Sequence, residues 1–175
     1  MVAAVYQIPE KIVNFNLYNE TEKQIGITGE VKLPSLEAMT ETISGAGIAG
    51  EYESATPGHF SSMEIEIPYR LVGAQALALM SSKYSTLFLR GAKQLSDISG
   101  GGIVTKPLKV TLKVSPKGMD LGKVAVGGLM ETTGKLEVLY IKVETDDTVI
   151  LELDKQNFIF VVNGVDQLAQ IRGMM

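Results

Sequence analysis

The residues Gly45-Ala46-Gly47-Ile48-Ala49-Gly50 fit G-x-G-x-x-G, the spacing with which a glycine-rich turn cradles a dinucleotide pyrophosphate. That chemistry needs a buried apolar strand before the first glycine and a helix after the last. The helix N-terminus then supplies the N–H groups that hold the anion. Here the preceding residues, Glu41-Thr42-Ile43-Ser44, are half polar, and Glu51-Tyr52-Glu53-Ser54-Ala55-Thr56-Pro57-Gly58 follows. Pro57 and Gly58 disfavour a helix. Glu51 and Glu53 would face the phosphates with like charge. The glycines are therefore expected in a flexible loop that leaves a strand, where positive φ is allowed.

Other chemical groupings are weaker still. His59 is the sole histidine. A nucleophile–histidine–carboxylate triad has no further support, and a metal would need several carboxylates beside the imidazole. A solvated loop position next to Pro57-Gly58 is expected for it. Asp146 and Asp147 fit a turn better than a carboxylate dyad. The stretch from Gly100 to Lys106 lacks the G-K-[ST] ending of a phosphate loop. Glu152 and Asp154 alternate with Leu151 and Leu153, as on a solvated strand face. No catalytic residue, cofactor or metal ligand is assigned, and no enzymatic activity is expected.

Composition narrows the class. Apolar residues make up 45% and charged residues 21%, which describes a globular chain and not a disordered one. The 175 residues suffice for one domain with a sizeable core. A net charge of −4 without a basic run argues against tight nucleic-acid binding. With zero cysteines, neither disulfides nor thiolate metal sites can form. The start, MVAAVYQIPEKIV, lacks the cationic and long apolar regions of a signal peptide, so none is expected. No apolar run reaches the ~20 residues of a membrane-spanning helix.

Stepping along the chain, residues 1–9 read as an N-terminal arm ending at Pro9. Ile12, Val13, Phe15 and Leu17 indicate a strand closed by Tyr18-Asn19-Glu20-Thr21. Ile25 to Leu33 alternates loosely and stops at Pro34. Leu36 to Ile43 follows as a strand, then the glycine loop over 45–58. Met63, Ile65 and Ile67 alternate with Glu64 and Glu66, the clearest period-two signal in the chain. The spacing of helix formers predicts a largely buried helix over 72–83. Thereafter strands are expected at 85–93, 108–114, 136–144, 148–153 and 158–162, the third and fourth joined as a hairpin across Thr145-Asp146-Asp147. A short terminal helix could use Val165, Leu168 and Ile171. Strands outnumbering helices imply a mainly β fold, a sandwich or small barrel of packed antiparallel sheets with one flanking helix.

Four segments together resemble a known family: IPEKIVNFNLYNE (Ile8 to Glu20), GEVKLPSLEAMTETISGAGIAGEYE (Gly29 to Glu53), MEIEIPYR (Met63 to Arg70) and the ending NGVDQLAQIRGMM. They look like the major tail tube protein of contractile-tailed bacteriophages, which related contractile bacteriocins share. The resemblance covers essentially the whole chain as a single tail-tube domain. It implies a structural, non-enzymatic subunit located in the virion tail or bacteriocin particle and assembled in the host bacterial cytoplasm. Six copies would form a ring by joining sheets edge to edge into one inner barrel, and rings would stack into a hollow tube.

The implied partners are further copies of the chain, the sheath protein, baseplate and tail-terminator proteins, and a tape measure protein in the lumen during assembly. DNA would pass only in transit, and no membrane anchoring is implied. The glycine loop takes the position of the family's contact arm, so Gly45, Ala46, Gly47, Ile48, Gly50, Glu51, Tyr52 and Glu53 become candidate inter-subunit and inter-ring contacts. Glu37, Glu41, Glu64 and Glu66 become candidate lumen-facing carboxylates, since an acidic lining repels phosphates. The competing expectation is the tube protein of a contractile secretion system carrying effectors.

Overall fold

The computed structural model describes residues 7–20, 22–81 and 83–175. In chain order its strands are β1 (Gln7–Asn19), β2 (Glu22–Lys23), β3 (Ala38–Ser44), β4 (Glu51–Phe60), β5 (Glu64–Tyr69), β6 (Ser85–Asp97), β7 (Gly102–Asp120), β8 (Thr132–Thr145), β9 (Thr148–Asp154), β10 (Ile159–Val162) and β11 (Val165–Asp166). Two short helices are α1 (Ala74–Ala78) and α2 (Ala169–Arg172). Nine strands share one sheet in the order β11-β10-β9-β8-β7-β6-β1-β2, with β5 attached to β8; β3 and β4 form a second, two-stranded sheet. All these pairings are antiparallel. The mainly β architecture with a small flanking helix matches the expectation from the sequence, and the described residues form no closed barrel.

Strand β8 is the branch point. One edge pairs with β7 along its length. The other is divided: Thr132–Glu137 pairs with β5, and Tyr140–Thr145 pairs with β9. Alternation explains which side is buried. On β7, Val110, Leu112 and Val114 are buried, while Lys109, Thr111 and Lys113 point the other way. Register carries the apolar row across neighbouring strands: Leu17 faces Leu89, Leu89 faces Val110, Leu87 faces Leu112, Val114 faces Val138 and Ile65 faces Leu136. These residues, with Met63, Ile67, Tyr69, Ala76 and Leu79, form one core cluster.

Three expected boundaries change. The helix spans only Ala74–Ala78, not 72–83. Gly73 at its N-cap gives no side-chain cap, and the chain tightens into three-residue turns at Met80 and Ser81. Only Ala76 and Leu79 need burial, whereas Leu77 stays half exposed. The arm is shortened: β1 already begins at Gln7, and residues 1–6 lie outside the described residues. The extended loop at 45–58 is instead a β-hairpin. Its turn occupies Gly45–Gly50, and Glu51 opens β4, because Glu51 to Ala55 finds ladder partners on Thr40 to Ser44. Pro57 escapes the usual penalty because it falls in a register shift with no opposing partner.

The base of this hairpin is seated on the C-terminal part of the chain. The Phe60 ring meets Phe160 edge-on at 4.9 Å, and His59 tilts against Phe158 at 5.8 Å. Gly58 makes that seating possible. Its φ is +75°, and a Cβ there would lie 2.6 Å from Leu168 Cδ1 and 2.8 Å from Phe158 Cε2. Gly58→Ala is therefore expected to destabilise the protein by about 2–3 kcal/mol, from overpacking plus left-handed strain. Gly29→Ala, with open space and ordinary φ, should change little. Urea unfolding of both variants measures the difference.

Candidate assembly surfaces

The hairpin is built of two unlike faces. Ile43 pairs with Tyr52 on one. Thr42 with Glu53, and Ser44 with Glu51, occupy the other, where Thr40 Oγ1 donates to Glu53 Oε2 at 3.2 Å. Met39, Ile48 and Tyr52 are exposed, although apolar surface at a ribbon normally seeks a cover. Gly45, Ala46, Gly47, Ile48, Gly50, Glu51, Tyr52 and Glu53 all lie together and exposed at its distal end. Gly47 and Gly50 adopt positive φ, and Ile48 N–H donates to the Gly45 carbonyl, which closes a turn. A strand follows, so no helix N-terminus is present to hold a phosphate.

The four candidate lumen carboxylates fall into two sets. Glu37 and Glu41 belong to the hairpin, Glu37 just ahead of β3 and Glu41 on it. Neither makes an ion pair among the described residues. Glu64 and Glu66 lie on β5, where lysines from three directions meet them. Glu64 pairs with Lys117 at 2.9 Å and approaches Lys135 at 4.0 Å. Glu66 pairs with Lys32 at 2.8 Å, and this hydrogen bond holds its carboxyl below the ordinary range. Such neutralised pairs project little field beyond a Debye length of about 8 Å.

Glu137 on β8 is the hub beside them. Its carboxylate accepts from Ser62 Oγ at 2.6 Å and Met63 N–H at 3.1 Å, and it faces Lys117 at 3.5 Å and Lys155 at 3.8 Å. Burial pushes its pKa up, but the hydrogen bonds from Ser62 and Met63 and the two lysines together outweigh this and lower it. The start of β5 is thereby fastened to β8 through charge-assisted bonds.

A cleft of about 550 Å³ opens on the free side of β1, between Ile12–Leu17 and residues 23–29, with Arg70 at its rim. Below it, β2 pairs with Tyr18 and Asn19, and Gln24 N–H donates to the Leu17 carbonyl. Above that point the chain diverges to run beside β5, bridging Ile27 to Tyr69 and Lys32 to Glu66. Among the described residues, no strand pairs with Ile12–Asn16 on this side; Phe15 N–H is met by its neighbour's carboxamide, Asn14 Oδ1, at 2.8 Å. The far wall is tied down by side-chain hydrogen bonds. Gln75 Oε1 of α1 accepts from Ile25 N–H at 3.1 Å, and its Nε2 donates to the Lys23 carbonyl at 3.4 Å. Tyr69 O–H donates to Gln24 at 3.3 Å, and burial pushes that hydroxyl up to about 12.

Sequence patterns missed this cleft, because it arises where one chain segment leaves β1 for β5. The connector between β7 and β8 is marked in the sequence by Gly127-Gly128, but nothing there says that Leu121, Val124, Val126 and Leu129 are all exposed. No group of three or more His, Asp or Glu among the described residues could hold a metal ion. Among the described residues, no helix is long and apolar enough to cross a membrane.

Comparison with known proteins gives two results. A family model described as phage tail tube protein FII matches residues 9–175. The chain is also similar to the major tail tube protein of Serratia phage KSP20, with 24% identity over 157 residues that cover 90% of either chain.

The Glu137 hub has a pH signature. A carboxyl whose folded pKa is depressed contributes its stability in full above its unfolded value, near 4.5, and loses it as pH falls through the folded value. The melting temperature should therefore drop as the pH is lowered from about 5 to 3. Glu137→Gln should lower stability at pH 7 and flatten part of that acid limb. Parallel pH profiles for both proteins would show that Glu137 is not a contributor.

Proposed function

The chain belongs to the phage tail tube protein FII family, and from that membership we propose that it is a tail tube subunit that assembles into six-membered rings. The rings stack into a hollow tube within a contractile tail. Its place is the virion tail, among other tail components. Its work is structural and mechanical: subunits polymerise, and contraction of the surrounding sheath drives the tube through the host envelope. Sheath, baseplate, tail-terminator and tape measure proteins are the partners such a tube would meet.

The free-standing hairpin supports this best. A two-stranded ribbon is marginal on its own in water. This one exposes Met39, Ile48 and Tyr52 beyond a base seated on the C-terminal elements. A monomer has no use for such an arm; a polymer can cover it. The edge of β1 that is unpaired among the described residues is a second liability in a monomer and a joint in an assembly. Of the four candidate lumen carboxylates, Glu64 and Glu66 already have lysine partners, so Glu37, just ahead of β3, is the one best able to present net charge to passing DNA.

Electron microscopy of the purified chain at high concentration tests the assignment: rings or tubes are expected, and a uniform monomer would count against it. Deleting Ala46 to Ala55 should leave a folded protomer that no longer polymerises. Normal tubes from the deleted protein would remove the hairpin from the assembly mechanism.

A further inference from the structure

We propose that the cleft beside β1 receives the β3–β4 hairpin of a second copy of this chain. In this arrangement β4 lies along the open edge of Ile12–Asn16, and Glu51 and Glu53 face Lys23 and Arg70. The inference rests on the self-assembly proposed above and adds the receiver of the arm.

Charge points to the pairing. The chain holds 20 acidic and 16 basic residues. Residues 33–60 contain Glu37, Glu41, Glu51 and Glu53 and no lysine or arginine, so the rest of the chain balances at 16 of each. The whole excess of negative charge thus sits on the hairpin. The charged residues lining the cleft are Lys23 and Arg70, and among the described residues neither has an ion pair. An acidic ribbon and a cationic notch on every copy are complementary between copies.

Shape and backbone agree. The cleft is walled by Ile12, Val13, Phe15, Ile25 and Ile27, which suits Ile43 and Tyr52 on one face of an inserted ribbon, while its opposite face carries Glu51 and Glu53. Among the described residues its backbone edge along Ile12–Asn16 is unpaired, so an incoming strand gains main-chain hydrogen bonds there by strand addition. Gln75, Tyr69 and the Arg70 N–H bond to the Gly26 carbonyl hold the wall in place without help from a neighbour. Another exposed apolar element, Leu121–Leu129, fits less well. Its base is bonded to the Arg70 carbonyl of its own chain through Met130 N–H, and its Glu131 is already held by Lys123.

Absence of cysteine from the chain gives a clean test. Val13→Cys and Tyr52→Cys proteins, mixed, polymerised under reducing conditions and then oxidised, should yield a disulfide-linked dimer. Tyr52→Cys mixed with Ile103→Cys should not. In parallel, Lys23→Glu/Arg70→Glu should fold with unchanged thermal unfolding and lose tubes, and adding Glu51→Lys/Glu53→Lys to the same chain should restore them. Tubes that persist with the reversed cleft, or a crosslink to position 103 and none to 13, overturn the docking while leaving self-assembly intact. An unmodified chain that forms no rings or tubes overturns both.

Discussion

Backbone N–H and C=O groups at the edge of a sheet must find partners or be shielded from foreign strands. Most of this structure can be understood as the consequence of that requirement. Strands β6, β7 and β8 satisfy each other over long registers, and β8 splits its remaining edge between β5 and β9. The segment after β2 covers the outer side of β5 through Thr28, Lys32 and Arg70. Among the described residues, what stays uncovered is the outer edge of β1 above Leu17, because the covering segment has to leave β1 in order to reach β5. The uncovered edge and the cleft are therefore one geometric fact. A chain that closed both edges would be a self-sufficient barrel with nothing to offer a neighbour.

Electrostatics divides the molecule along the same line. In the body, carboxylates and lysines are interleaved: Glu64, Glu66, Glu137 and Glu144 each have at least one lysine within ion-pair distance. Cations without a carboxylate can lie over rings instead, as Arg90 does over Tyr18 and Lys113 over Tyr140. In exposed positions each pair contributes little, typically below about 1 kcal/mol. Their larger effect is to leave the body without a strong field of either sign. The hairpin, with four glutamates and no lysine or arginine over residues 33–60, carries a local imbalance, and whatever receives it in an assembly must supply positive charge or bear the repulsion of crowded carboxylates.

The strands of the body were legible in the sequence because burial on one side imposes period two: Ile65/Ile67 against Glu64/Glu66, and Val110/Leu112/Val114 against Lys109/Thr111/Lys113. The helix was overestimated because a run such as Ala74 to Met80 has high helix propensity whatever its surroundings. Without a cap and with only Ala76 and Leu79 to bury, one turn suffices. Glycine and proline misled in the opposite direction at 51–60. They read as loop, yet Pro57 and Gly58 form an irregular stretch within a strand, which turns its base onto Leu168 and Phe158. Charge partners were invisible for a simpler reason. Nothing in the spacing of Glu64, Glu66 and Lys117 says that β5, β8 and β7 will lie side by side. Judged from sequence, β5 presents a bare acidic face; in the fold it is neutralised.

The same reasoning gives α1 a purpose that its size would not suggest. Five residues bury only Ala76 from within the helix, a small return for ordering a separate element. Its Gln75, however, supplies both a donor and an acceptor to Lys23 and Ile25. A primary amide presents the same donor and acceptor as a backbone peptide, so this side chain acts for the segment as a strand would. It fixes the outer wall without continuing the sheet. A true strand in that place would have paired onward and extended the covered edge, whereas a side-chain amide ends the ladder there. The wall is thus held firm while the gap between it and β1 stays open, the combination that a docking cleft between copies requires.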